Sequence, residues 1–283
     1  MKIYIVILIF SVSFTQVFST YDYVGAKATA MSGSITSGPG GEWSIFHNPA
    51  QLSDLKGSNI ISGHCRLYGL NFLSYSHFGL SHNSWAINFE KLSTTINDIA
   101  LSSESKFGIS KGTNIYKDRQ SIIQAGIRLN LYKYNLGQSA GTEGDGSLGQ
   151  ESFIGTAKGL DVGIQGVLNH KYYVAYHLQN IISLIQSSSL GSDLPRSFSI
   201  GLSYRPYQGL LTSFDINQLS GHPDSELRFG IEYLLMDLLV IRAGIQNNPN
   251  RFSAGFEYGG FSYSFITHHI LPMTHQFSLS IDF

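Results

Sequence analysis

Along most of the 283 residues apolar and polar side chains alternate with a period of two, the spacing that sends successive side chains to opposite faces of a β-strand. From His275 to Phe283 the alternation has no error: Phe277, Leu279, Ile281 and Phe283 share one apolar face, and their neighbours make a polar one. Uncharged apolar faces recur at Trp85-Ile87-Phe89, Ile123 to Leu131, Tyr172 to Leu178, Phe198 to Tyr204, Leu227 to Tyr233, Phe252 to Tyr258 and Phe261 to Phe265. A sheet greasy on one side and polar on the other suits a wall between hydrocarbon and an aqueous interior, where an outward Lys or Arg at mid-bilayer costs about 2–4 kcal/mol. The pattern predicts an all-β transmembrane antiparallel up-and-down β-barrel, residues 58–283, sealed by the last strand. A soluble β-sandwich also alternates, but gives no reason for an apolar leader, an aromatic final residue and this many strands.

Connection lengths test the prediction, because outer-membrane barrels have short periplasmic turns and longer external loops. Tight turns are expected at Lys117-Asp118, Asn169-His170, Pro206 to Gly209, Met236-Asp237 and Gly259-Gly260. They alternate with longer connections at Ser93 to Ser105, Gly137 to Thr156, Ile181 to Leu194, Gln218 to Ser225, Asn247 to Asn250 and Thr267 to Pro272. The count is about 14 strands with both ends periplasmic. Twelve is the alternative if Phe107 to Tyr116, whose alternation turns Lys111 outward, is not a strand.

The stretch before the first strand does not alternate. Residues 1–19 have the layout of a secretory signal, Lys2 before an apolar run from Ile3 to Phe10 and small residues up to Ser19, and the run is short for an anchoring helix. Residues 20–57 are rich in Gly and Ala and reach Trp43-Ser44-Ile45-Phe46-His47-Asn48-Pro49. Asn48 as a cap and Pro49 at the first helical position predict a helix from Pro49 to Leu55. A barrel of this width needs something in its lumen. Residues 20–57 are expected to be that small helical plug, or else a periplasmic cap beneath the barrel.

Charged residues make up only 13 % of the chain, as expected when one face of every strand meets lipid. A net charge of −1 provides no basic field, which excludes nucleic acid as a partner. The single Cys65 forms no internal disulfide and falls on a strand face with Ile61, Gly63 and Leu67, as a buried or lipid-facing filler.

Gly25-Ala26-Lys27-Ala28-Thr29-Ala30-Met31, followed by Phe46-His47-Asn48-Pro49-Ala50-Gln51-Leu52, resembles the N-terminal signature of the PorV/PorQ outer-membrane proteins, relatives of the FadL hydrocarbon transporters. Leu227 to Tyr233, Ile241 to Gly244, Tyr263 to Phe265 and Thr274 to Leu279 are similar to that family's closing hairpins. The chain departs from the pattern at Ser37 to Gly41, where relatives carry acidic residues and only Glu42 remains here. The resemblance implies a bacterial outer-membrane location and an accessory or shuttle role in type IX-like protein secretion, with secreted proteins as partners. The alternative it implies is FadL-like transport of a hydrophobic ligand.

Candidate site residues are accordingly structural. Gly25, Met31, Trp43, Phe46, Asn48 and Pro49 form the plug motif. Arg228, Glu232, Arg242 and Glu257, with Glu226 and Asp282, place charges on the polar faces of the late strands, as an internal ion-pair ladder or as a lining that selects solutes or holds the plug shut. Phe277, Leu279, Ile281 and Phe283 are the expected assembly signal, with outer-membrane lipid and the barrel-assembly machinery as partners. No enzymatic role, cofactor or metal is expected. Gly108 to Gly112 spells a nucleophile elbow with no helix after it. Gly144 to Gly149 spells a dinucleotide fingerprint inside a loop. His268, His269 and His275 cluster with no carboxylate or Cys at ligand spacing.

Overall fold

A computed structural model describes residues 19, 21–97, 99–138, 149, 151–185 and 194–283. The signal layout before Ser19 and the Gly144 to Gly149 spelling, apart from Gly149, lie outside the described residues. The strands are β1 (Ser58–Arg66), β2 (Leu73–His82), β3 (Trp85–Ile96), β4 (Ile99–Lys117), β5 (Ser121–Leu136), β6 (Phe153–Leu168) and β7 (Tyr172–Ile185). They continue as β8 (Ser197–Tyr207), β9 (Leu210–Leu219), β10 (Glu226–Met236), β11 (Leu239–Asn247), β12 (Arg251–Tyr258), β13 (Phe261–Ile266) and β14 (Thr274–Asp282). Each pairs antiparallel with its sequence neighbours and β1 pairs with β14, closing a 14-strand barrel. Closure removes the free edges that an open sheet would expose.

The outward face is the apolar one: Phe277, Leu279 and Ile281 are each about half exposed, and Phe283 is 70 % exposed. β4 is a strand although Lys111 points outward, because its ammonium lies 4.6 Å from the Trp85 ring centroid on the facing strand. Ser93 to Ser105 is not the expected long loop. β3 and β4 pair through Thr94–Ser102 and on to Ile96–Ile99, with Asn97 at positive φ in the turn. Polar Ser and Thr ended the sequence pattern there, yet nothing in the stretch breaks a strand, and β-branched residues favour one. β7 likewise continues to Ile185, into the expected loop.

β1 departs from the rule that apolar means outward. Ile61 and Cys65 are buried inward, while Ser62, His64 and Arg66 face out. The inward set meets the N-terminal segment, which folds as helix α1 (Ala26–Ala30) and two 3-10 helices, Glu42–Ile45 and Pro49–Asp54. The helix expected at Pro49 is therefore the tighter kind and stops at Asp54. α1 packs on β11 to β14, Glu42–Ile45 on β1 to β3, and Pro49–Asp54 on β4 to β6. Contact with wall on opposite sides places the segment inside the lumen as a plug.

Candidate functional site

The plug is seated on glycines. A Cβ on Gly126 would lie 2.2 Å from the Pro49 carbonyl, and one on Gly244 would lie 2.4 Å from the Met31 backbone carbon. Only residues without side chains let the strands approach the plug backbone this closely. Gly25, at φ +92, leaves room for the Trp43 ring, which sits 2.2 Å from where its Cβ would be. Met31 and Asn48 are fully buried, and Phe46 packs edge-on to the His77 ring with centroids 5.1 Å apart. The Asn48 side chain caps Pro49–Asp54 by accepting from Ala50 N at 3.0 Å, and donates to Thr36 O at 2.9 Å. Of the six plug-motif residues, Gly25 and Trp43 meet each other, Met31 lies against Gly230 and Gly244, and Asn48 and Pro49 lie against Gly163 on the other side of the barrel. The Ser37 to Gly41 stretch is held by neutral groups: Gln165 donates to Gly38 O at 3.0 Å and accepts from Gly38 N at 3.1 Å.

Arg128, fully buried on β5, is the plug's chief anchor on the wall. Its guanidinium donates to the carbonyls of Phe46 at 3.0 Å, Ile45 at 2.8 Å and His47 at 2.8 Å. These are the carbonyls left unpaired at the end of Glu42–Ile45. Asp161 lies 3.6 Å from the same guanidinium. It accepts from Asn130 at 2.8 Å and from Asn180 N at 2.8 Å, holding the irregular pairing of β6 with β7. Sequence reading missed Arg128 and Asp161, although an Arg in the polar set Gln124-Gly126-Arg128-Asn130 beside a central Gly is a legible sign of close backbone approach.

The predicted lumen charges meet on the opposite wall. Arg242 pairs with Glu232 at 2.6 Å and Glu257 at 2.8 Å, and Lys27 from α1 joins Glu232 at 3.0 Å. Arg228 pairs with Glu226 on its own strand and with Asp22 of the N-terminal segment, the latter at 3.1 Å. The charges therefore form a ladder along the wall and tie the plug to it. A further pair absent from the sequence reading, Lys106 and Glu90 at 3.2 Å, lines a cavity of about 60 Å³ with Tyr75, Glu104 and Tyr132.

One side of the plug makes mainly apolar contacts. Leu55, Trp43 and Phe46 pack with Ile61 and Cys65 of β1 and with Leu67 just past its C-terminal end, joined by Tyr75 and Ala86 of β2 and β3. The seam runs from Leu55, just before β1 begins, to Leu67, just after it ends. Other spaces between plug and wall differ in size, and one of about 590 Å³ lies between Pro39, Gly40, Ser53 and Asp54 of the plug and Ile122, Val167 and Tyr173 of the wall. Two, lined by Met31 and Leu211 and by His177 and Arg228, measure about 30 Å³ each, room for a water or two.

The remaining candidates sit apart from this site. Gly108 to Gly112 lies within β4. The His268 and His269 rings are 4.5 Å apart on the connection between β13 and β14, and His275 Nδ1 bonds the Tyr263 hydroxyl at 2.8 Å.

No protein-family model and no curated protein matches the sequence. Solved structures do match in shape. The Ralstonia pickettii toluene transporter TbuX aligns with a TM-score of 0.62 at 12 % identity, covering 93 % of this chain and 99 % of that one. The Pseudomonas putida toluene transporter TodX aligns at 0.56 and 14 %, covering 94 % and 98 %. A Pseudomonas aeruginosa FadL homologue aligns at 0.56 and 10 %, covering 90 % and 97 %. At such identities the likeness establishes the fold, a FadL-like 14-strand barrel.

Proposed function

We propose that the chain is an outer-membrane barrel that passes hydrophobic small molecules, the class of activity for which the TbuX and TodX structures are named. The observation that carries this reading is the apolar seam between plug and β1 to β3. Arg128, Lys27 and Asp22 hold the plug to the rest of the wall by hydrogen bonds and ion pairs, and displacing them strands buried polar groups at about 1–3 kcal/mol each. Apart from the contact of the Tyr21 hydroxyl with Cys65 Sγ at 3.9 Å, the seam is held by dispersion and burial. An apolar solute can replace Phe46 or Trp43 against Ile61 and Tyr75 without leaving a polar atom unpaired. A polar solute of the same size cannot, so the seam selects for hydrophobicity.

Reconstituted vesicles test it. Uptake of a monoaromatic hydrocarbon is expected to accelerate severalfold over protein-free vesicles while a sugar of similar size does not enter. Phe46→Ala, which removes a side chain the solute must displace, is expected to tighten hydrocarbon binding about tenfold. Equal hydrocarbon uptake with and without protein would overturn the proposal. The PorV/PorQ shuttle reading rests on the N-terminal and closing-hairpin motifs. Capture of exported proteins by their C-terminal domains, with no hydrocarbon uptake, would favour it instead.

A further inference from the structure

We infer that the outer wall of β3 to β6 binds the phosphorylated headgroup of an external-leaflet lipid; the inference rests on the outer-membrane reading above. Its basis is the distribution of outward charge. Among the described strand residues, the outward cations are Arg66, Lys91, Lys111, Lys133 and Lys158, all on β1 to β6, and no outward position carries a carboxylate. The lipid-facing side of β7 to β14 has no outward Lys or Arg. Two of the five are accounted for locally: Lys111 lies over Trp85, and Arg66 donates to Asn71 at 2.8 Å. No ion pair engages Lys91, Lys133 or Lys158 among the described residues.

Lys91 and Lys133 stand at a boundary, with Lys158 one rung nearer the short turns. The strand register places His64, Ser76, Lys91, Ser105, Lys133 and Thr156 on one continuous rung across β1 to β6. The adjacent rung toward the short turns contains Phe78, Phe89, Phe107 and Leu131, all outward and large, between Ser62 on β1 and Lys158 on β6. The adjacent rung toward the long connections is polar at Arg66, Ser74, Ser93, Ser103 and Asn135 on β1 to β5 and ends at Ile154 on β6. Apolar below and polar above is how a barrel wall meets the headgroup level, and the long connections mark that level as the external one.

The surface there is grooved as well as charged. A depression of about 410 Å³ has Phe89, Phe107 and Leu131 as its floor and Lys133 and Lys158 at its rim. Lys158 sits opposite Leu131 and so diagonal to Lys133, and Lys91 is two strands away, about 10 Å across the sheet. An acyl chain fits the floor, and the ammonium groups of Lys133 and Lys158 at the groove, with Lys91 two strands away, suit a headgroup with more than one phosphate. External-leaflet lipid of the lipid A type has that chemistry, and a zwitterionic phospholipid does not.

Native mass spectrometry of the full-length barrel in neutral detergent, mixed with bis-phosphorylated lipid A or its phosphatase-treated form, decides the matter. Wild type is expected to retain the phosphorylated lipid at least about tenfold better, since each lysine beside an anionic headgroup contributes a factor of about five before screening. Lys91→Gln, Lys133→Gln and Lys158→Gln together are expected to abolish the preference, while Lys111→Gln keeps it. Equal retention of both lipids by wild type, or an unchanged preference in the triple variant, overturns the inference. If the triple variant does not fold, judged by loss of heat-modifiable migration, a salt series on wild type takes its place: a preference that shrinks with ionic strength supports the site and a constant one overturns it. A dimer that persists at every lipid concentration would mean a second copy covers the groove, and also overturns it. Recovery of wild type in soluble periplasm defeats the outer-membrane reading itself, whereas outer-membrane recovery without phosphate preference defeats this inference alone.

Discussion

At the scale of single residues, His47 is the titratable group most closely tied to the plug's position. Its Nε2–H donates to Val24 O at 2.9 Å. Burial holds its pKa well below the ordinary 6.5, with Arg128 and His177 adding to the effect. The seated plug therefore binds fewer protons here than a released one. That deficit costs nothing above about pH 6.5, and as pH falls below it the released state gains by up to about tenfold per pH unit. Single-barrel conductance is expected to rise as pH drops from about 7 to about 5, and His47→Gln, which keeps a donor but cannot titrate, is expected to flatten the rise. A slope unchanged by the substitution would assign it to other groups.

At the scale of elements, closure depends on how β14 meets β1. Phe283 N and O pair with Ser58 O and N at 3.0 and 2.9 Å, extending the ladder past Asp282. Its side chain continues the outward face of Phe277, Leu279 and Ile281. Phe283→Asp keeps the backbone pairing possible but puts a charge at the end of that face. If the amphipathic strand is the assembly signal, the variant is expected to reach the periplasm and fail to acquire heat-modifiable migration, measured as band shift between unboiled and boiled samples. Normal band shift would show that the outward aromatic is dispensable.

At the scale of the whole molecule, the lumen of a 14-strand barrel is too wide for side chains alone to fill and is filled instead by chain that precedes the strands. Removing Val24 to Leu55 takes away the partners of Arg128 and of the inward glycines, leaving a polar channel. In planar bilayers the deletion is expected to conduct ions at least about tenfold better than the intact barrel. An intact protein that conducts as freely would mean that Arg228, Glu232, Arg242 and Glu257 set the constriction.

The barrel was legible because its signal is local and repeated: a strand in a lipid-facing wall must alternate, and Phe277 to Phe283 or Ile123 to Leu131 can be read without knowing any partner. Asn48 and Pro49 were legible for the same reason, since a cap acts within one turn. What the pattern could not give depended on neighbours distant in the chain. β1 turns Ile61 and Cys65 inward because Phe46 and Tyr75 are there to cover them, and period-two alternation is blind to which face meets lipid. Arg128 anchors the plug through carbonyls some eighty residues earlier, and the lysine rung exists only once six strands are in register. Local propensity decided that strands form; the register of the closed sheet and the path of the plug decided which side chains meet, because those contacts join parts of the chain that only folding brings together.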